Sequence, residues 1–273
     1  MQRRSFLRNT SFSAALLALS PKELLANFLQ QPGYKITMLR NDVGIFTERG
    51  GTIAFHLSKK GIVVVDSQFA EPAKHVIDEL KKKSEKPFSL LINTHHHGDH
   101  TGGNIAFKDV VGNVVGHANC LANYKRVAAQ QKNEDKQLFQ DITFTDTWKR
   151  KMGNEKIKAH YFGAAHTNGD SIIHFEHANI AHMGDLLFNR RYPAIDRTAG
   201  ANLKNWATVL DKTLSTFSDE TLFIAGHAFD PEKVVCTKDD VKVFKDYLEK
   251  LVLFVDGEIK TGKTKDEIIK NKT

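Results

Sequence analysis

The chain has 273 residues, enough for one large or two small domains with a buried core. Its composition, 41% hydrophobic and 26% charged, is that of an ordinary folded protein rather than a disordered or fibrous one. The formal net charge is +7, but four of the 39 basic residues and one of the 32 acidic ones lie in residues 1–26, which leaves an excess of +4 on the rest. So small an excess gives no ground for a nucleic-acid partner. The Lys-rich stretches (Lys81-Lys82-Lys83 and Lys260 to Lys272) read as solvated helix faces.

The first 26 residues read as an address rather than as part of the fold. Arg3-Arg4-Ser5-Phe6-Leu7-Arg8 is a basic opening with paired arginines, followed by a short apolar run from Phe12 to Leu19. The run is too short to span a bilayer, and the pattern resembles a twin-arginine export signal. The expectation is a signal peptide over 1–26, a mature domain over 27–273, a periplasmic location and no stable membrane insertion once the signal is removed. Cleavage is expected between Ser20 and Ala26. Cys120 and Cys236 have no spacing that demands a bridge and are expected to be buried free thiols.

From residue 34 onward, Lys35–Leu39, Val43–Thr47, Thr52–Leu57 and Ile62–Asp66 are β-rich runs punctuated by glycines. Pro72–Lys83 is a helix with Ala73, Val76, Ile77 and Leu80 on one face. Ser89–Asn93 and Val114–Gly116 are strands, Ala118–Ala129 is a helix, and Ile142 to Phe175 is mostly β. The strand Asn179–Met183 is expected to end at Gly184-Asp185. A helix over Leu203–Thr216, a strand over Leu222–Ala225 and a long helix from Lys238 to about Lys260 complete the chain. Two sheets with helices on their outer faces would bury such a set of elements.

The chemistry is concentrated in Thr94-His95-His96-His97-Gly98-Asp99-His100, at the end of the Ser89–Asn93 strand. His95 and His97 project to one side of an extended chain, and Gly98 lets Asp99 and His100 turn towards a neighbouring position. Imidazole and carboxylate are ordinary zinc ligands, and so many polar rings at one strand end have no purpose as packing alone. His96 points away by alternation and is given no metal role. Three later segments look like completing ligands. They are His166 in a loop between β runs, Asp185 after Asn179–Met183, and His227 after Leu222–Ala225. No separate serine or cysteine triad is found.

These residues resemble, in order and approximate spacing, the signature of the metallo-β-lactamase fold superfamily, over roughly residues 35 to 260. The resemblance implies an α/β protein, an αββα sandwich with the site at one edge of two sheets. It also implies two metals, Zn2+ in the first instance with Fe or Mn as alternatives. His95, His97 and His166 would hold the first, Asp99, His100 and His227 the second, and Asp185 would bridge them. Such a pair of ions generates a nucleophilic water at neutral pH and polarises a carbonyl, and Asp99 could also handle the proton as the catalytic residue. Asp66 matches an aspartate that the family uses to brace the metal loop, with an ordinary strand-end turn acid as the other reading. The true β-lactamase branches carry Cys or Ser where this chain has Asp185, so the resemblance leans towards glyoxalase II and related thioester, ester, lactone or phosphodiester hydrolases, and the expected reaction is cleavage of an ester, thioester, lactone or amide bond in a small-molecule substrate. After His227, however, only 46 residues remain, too few for a glutathione-binding domain. β-Lactam hydrolysis, an iron-dependent redox reaction and a non-enzymatic metal-binding role remain as alternatives. Two further readings wait on the structure. Arg190, Arg191 and Tyr192 form either a substrate contact or a solvated loop, and Glu48-Arg49-Gly50-Gly51 is a candidate flexible flap.

Overall fold

The computed structural model describes residues 33–270, so the expected signal peptide lies outside the described residues. From residue 36 onward the described chain forms one unit. Its first sheet has seven strands in the order β1 to β7. They are Lys35–Arg40, Val43–Thr47, Ile53–Ser58, Gly61–Val65, Phe88–Ile92, Val111–His117 and Ile142–Phe144. Short turns make β2, β3 and β4 antiparallel neighbours, whereas β4 to β7 are parallel and are linked by longer crossovers. Those crossovers contain α1 (Ala70–Lys83), the single turn α2 (Gly98–Thr101) and α3 (Ala118–Gln131). The second sheet is ordered β13-β12-β11-β10-β9-β8. Its strands β8 to β13 are Thr147–Met152, Glu155–His160, Ile172–Phe175, Ile180–Asn189, Leu222–Ala228 and Val235–Cys236. In this sheet α4 (Leu203–Thr216) links β11 to its parallel neighbour β12. The chain then runs into α5 (Lys238–Lys260) and α6 (Lys265–Lys270).

Side-chain alternation explains the layering. Val63, Val65, Leu90 and Ile92 point inward and meet Ile157, Ile173, Phe175 and Ile224 of the second sheet. Ile62, Val64 and Leu91 point the other way yet are also fully buried, as a sheet covered on both faces requires. The outer face of the second sheet supplies Leu186, Phe188 and Phe223, packed against Trp206, Val209 and Leu210 of α4 and Phe244 and Leu248 of α5. Helix α5 starts on a capping box, in which the Thr237 hydroxyl receives the Asp240 amide and the Asp240 carboxylate receives the Thr237 amide. The αββα sandwich expected from the sequence is the architecture observed. No helix among the described residues is long and apolar enough to cross a membrane.

Two expectations at the second sheet need correction. The strand expected to stop at Met183 continues to Asn189 as β11, with register irregularities against β12 on either side of Gly184. Gly184 takes φ +50°, and a Cβ there would lie 2.5 Å from Thr94 Oγ1, so the bulge needs glycine. Asp185 is therefore set inside a strand, re-aimed by a bulge, rather than at a strand end. His227 likewise lies within β12, not after it.

Candidate metal centre

The seven candidate residues come from five places in the fold. His95 and His97 follow β5, and Asp99 and His100 form the turn α2. His166 lies in the loop between β9 and β10, Asp185 in the β11 bulge and His227 in β12. The structure gathers them into two groups of ligand atoms, His95, His97, His166 and Asp185 in one and Asp99, His100 and His227 in the other.

In the first group His97 Nδ1 lies 3.2 Å from His95 Nε2 and 2.9 Å from His166 Nε2. Asp185 Oδ2 lies 3.8 Å from His95 Nε2 and 3.4 Å from His166 Nε2. Four ligands on a tetrahedral zinc with bonds of about 2.0–2.1 Å are separated by about 3.3 Å, so these spacings suit one small cation. In the second group His227 Nε2 is 2.9 Å from Asp99 Oδ2, and His100 Nε2 is 3.8 Å from the same oxygen. The other oxygen of Asp185, Oδ1, faces this group at 3.0 Å from His100 and 3.5 Å from His227. Asp185 thus presents one oxygen to each group. Buried His100 Nε2 and Asp185 Oδ1 form no hydrogen bond despite their proximity. A divalent cation would satisfy both atoms.

The electrostatics agree with the geometry. Burial holds His95 well below the ordinary histidine range and, with the nearby His97, brings His166 down to about 4, so both rings keep free lone pairs at neutral pH. Burial also opposes charge on His100, but the Asp185 and Asp66 carboxylates outweigh it and raise its pKa well above normal, so positive charge is favoured between His100 and Asp185. Burial acts upward on Asp185, yet His100, His166 and His227 hold it well below the usual carboxylate range.

Each ring is oriented from behind. Asp66, fully buried at the end of β4, accepts from the Thr94 amide at 2.8 Å and the Thr94 hydroxyl at 2.7 Å, and its Oδ2 lies 2.7 Å from His100 Nδ1. The brace expected at Asp66 is therefore present and acts on His100. His166 Nδ1 is 2.8 Å from the Ala194 carbonyl, and His227 stacks on Phe188 with ring centroids 5.6 Å apart. One supporting residue escaped the sequence reading. Asp196 Oδ2 lies 2.9 Å from His97 Nε2, while its Oδ1 accepts the amides of Thr198 and Ala199. The local signal was an Asp-x-Thr turn, but nothing in the sequence ties it to a histidine 99 positions away. Buried His96 also approaches Asp196, at 3.7 Å, and has no hydrogen bond on either ring nitrogen.

Glu48-Arg49-Gly50-Gly51 is an anchored turn and not a free flap. The Gly51 amide donates to the Asp99 carbonyl at 3.0 Å, Gln68 Nε2 donates to the Gly51 carbonyl at 2.7 Å, and Arg49 pairs with Glu71. His117, another strand-end histidine, is structural: it caps α3 and stacks on Tyr161 at 4.0 Å. His182 lies 2.8 Å from the Thr52 carbonyl and ties β11 to the start of β3. Cys120 and Cys236 are free and buried.

The chain matches the family model of the Metallo-beta-lactamase superfamily over residues 51–227. It is similar to the metallo-beta-lactamase type 2 of Bacillus sp. (strain 170), at 26% identity over 171 residues, 62% of this chain and 63% of that protein. It is also similar to metallo-beta-lactamase IND-1 of Chryseobacterium indologenes, at 23% identity over 230 residues, 81% of this chain and 91% of that one. The matches to the Bacillus sp. and Bacillus cereus relatives span 63% and 64% of those proteins' length, less than two thirds. Among solved structures, a metallo-beta-lactamase from Pontibacter korlensis aligns with a TM-score of 0.67 at 18% identity, covering 79% of this chain and all but 1% of that one. Metallo-beta-lactamase IND-7 aligns with a TM-score of 0.64 at 18% identity, covering 81% of this chain and 100% of that one.

Proposed function

The chain belongs to the metallo-beta-lactamase superfamily, and from that membership and its paired donor groups we propose that it is a metal-dependent hydrolase of small molecules, with one zinc ion in each group and Asp185 shared between them. The observation that carries this reading is the split of Asp185, with Oδ2 towards His95 and His166 and Oδ1 towards His100 and His227. Two divalent ions held by these residues would supply a nucleophilic water at neutral pH and would polarise the substrate carbonyl.

The chain's own groups do the rest. His95, His100 and His166 are fully buried, whereas His97, Asp99 and His227 are partly exposed and mark the side on which substrate arrives. Burial acts upward on Asp99, but the hydrogen bond from His227 and the charge of His100 bring its pKa below normal, so it stays an ionised base. It takes a proton from the attacking water. The water oxygen bonds to the carbonyl carbon, the bond to the leaving heteroatom breaks, and that proton passes to the leaving atom.

A carboxylate that faces both groups, at the position where the true β-lactamase branches carry Cys or Ser, favours ester, thioester, lactone or amide substrates. β-Lactam hydrolysis is the second reading, supported by the activity named for the relatives. The N-terminal arginine pair and apolar run support action in the periplasm after export. The test is metal analysis and a substrate panel on one preparation, covering esters, thioesters, lactones and β-lactams. Two equivalents of zinc and hydrolysis of at least one class are expected, with both lost together in His97→Ala and Asp185→Asn. Stoichiometric iron would sink the zinc assignment, and full activity in both variants would refute the site.

A further inference from the structure

The end of β11, the segment after it and α5 enclose a cavity of about 570 Å³ that the metal chemistry above does not use. That volume is in the range of small-molecule sites. Its walls are aromatic: Phe188, Tyr192, Phe229, Phe244 and Tyr247. Phe244 stacks with Tyr247 at 6.4 Å, and Tyr192 approaches Tyr247 at 6.2 Å. Tyr192 and Phe229 are 83% and 81% exposed, and Val243 on α5 is 56% exposed. Large apolar side chains left open to water around one cavity mark a place where something apolar binds.

The cavity also carries a net positive charge, two arginines against one aspartate. Arg190 and Arg191 line it, and neither forms an ion pair or hydrogen bond among the described residues. Asp240 lines it too, but one of its oxygens is occupied by the amide and hydroxyl of Thr237. Arg190 is held at φ +51°, a conformation that costs a non-glycine residue energy. The turn is pinned on both sides of its origin, by Asn189 Nδ2 donating to the Lys233 carbonyl at 2.8 Å and the Phe229 amide donating to the Asn189 carbonyl at 2.9 Å.

The cavity abuts the metal centre. Phe188 forms part of its wall, stacks on His227 and lies 5.8 Å from the His166 ring. Phe229 follows His227 by two positions, just past the end of β12. We infer that this cavity is a substrate subsite for an aromatic group bearing a carboxylate or sulfonate, the ring lying among Tyr192, Phe229 and Tyr247 and the anion meeting Arg190 and Arg191. The word substrate rests on the hydrolase reading; the anion-and-aromatic site itself does not.

The test is fluorescence titration of the full chain, metal-free and zinc-loaded, with 1-anilinonaphthalene-8-sulfonate and its neutral counterpart N-phenyl-1-naphthylamine. One sulfonate dye per chain is expected, bound at least ten-fold tighter than the neutral dye. The double substitution Arg190→Ala, Arg191→Ala should remove that preference and leave neutral-dye binding intact. Val243→Glu, at an exposed helix position that tolerates charge, should weaken the sulfonate dye at least ten-fold. Equal affinity for the two dyes, or wild-type sulfonate binding in both variants, overturns the site. In the zinc-loaded protein the sulfonate dye should inhibit competitively whichever panel ester is hydrolysed, and inhibition that leaves KM unchanged overturns the subsite assignment. A chain that binds the dye as stated but hydrolyses nothing refutes the hydrolase reading alone, and one that hydrolyses but does not bind the dye refutes the subsite alone.

Discussion

Replacing Asp66 by Asn should weaken one metal position and leave the other nearly intact. Asp66 Oδ1 receives the Thr94 amide, and Oδ2 serves both the Thr94 hydroxyl and His100 Nδ1. Asparagine must place its NH2 on one of these sides. Facing the Thr94 amide, it opposes a donor with a donor in a fully buried site, which costs about 1–3 kcal/mol. Facing His100, it turns Nδ1 into an acceptor, moves the ring proton to Nε2 and so removes the lone pair that points at Asp185 and Asp99. Loss of such a supporting group typically lowers metal affinity about 10- to 100-fold, or about 1.4–2.8 kcal/mol. Competition against a chromophoric chelator would resolve the two zinc equivalents. The weakening is expected in the equivalent held by Asp99, His100 and His227. Asp196→Asn, which touches His97, should weaken the other. Identical wild-type affinities for both equivalents in Asp66→Asn, with the protein folded, would refute the account of His100 orientation.

Three other outcomes follow from the structure. Gly51→Ala would put a Cβ 2.2 Å from His100 Cε1, so it should cost about 1–3 kcal/mol of stability by overpacking and lower metal occupancy, read by urea unfolding and metal analysis. The metal-free protein should be acid-labile, because burial lowers the pKa of His56, His117, His160, His174 and His182, that of His160 to about 4. Between about pH 6.5 and 4 the unfolded chain then binds more protons than the native one, so stability should rise with pH across that window and be lost on acidification. His160→Phe should flatten the profile, and a pH-independent unfolding midpoint from 4 to 6.5 would contradict the argument. Cys120 and Cys236 are buried, and burial raises both thiol pKa values, that of Cys236 to about 12. Neither should react with a thiol reagent before unfolding, and fast labelling of the native chain would show otherwise.

The cluster from His95 to His100 was legible in the sequence because its ligands are local, four donors within six residues at the end of one strand. The helices at 203–216 and 238–260 were legible for a similar reason, since apolar periodicity is written within a few residues. His166, Asp185 and His227 could be nominated but not placed. The sequence made Asp185 the end of a strand, whereas the fold makes it the re-aimed residue of a bulge whose glycine packs against Thr94, 90 positions earlier. The partners of the ring nitrogens were harder to place for the same physical reason: Asp66 was nominated through the family resemblance without a ring assigned to it, and Asp196 was not nominated. Asp66 and Asp196 act on His100 and His97 only because β4, β5 and the segment after β11 converge, and a contact between distant residues leaves no periodic trace along the chain. The sequence determined which donors the protein carries; the packing of two sheets and their helices decided which oxygen of Asp185 faces which histidines, and set an aromatic cavity lined by Arg190 and Arg191 against them.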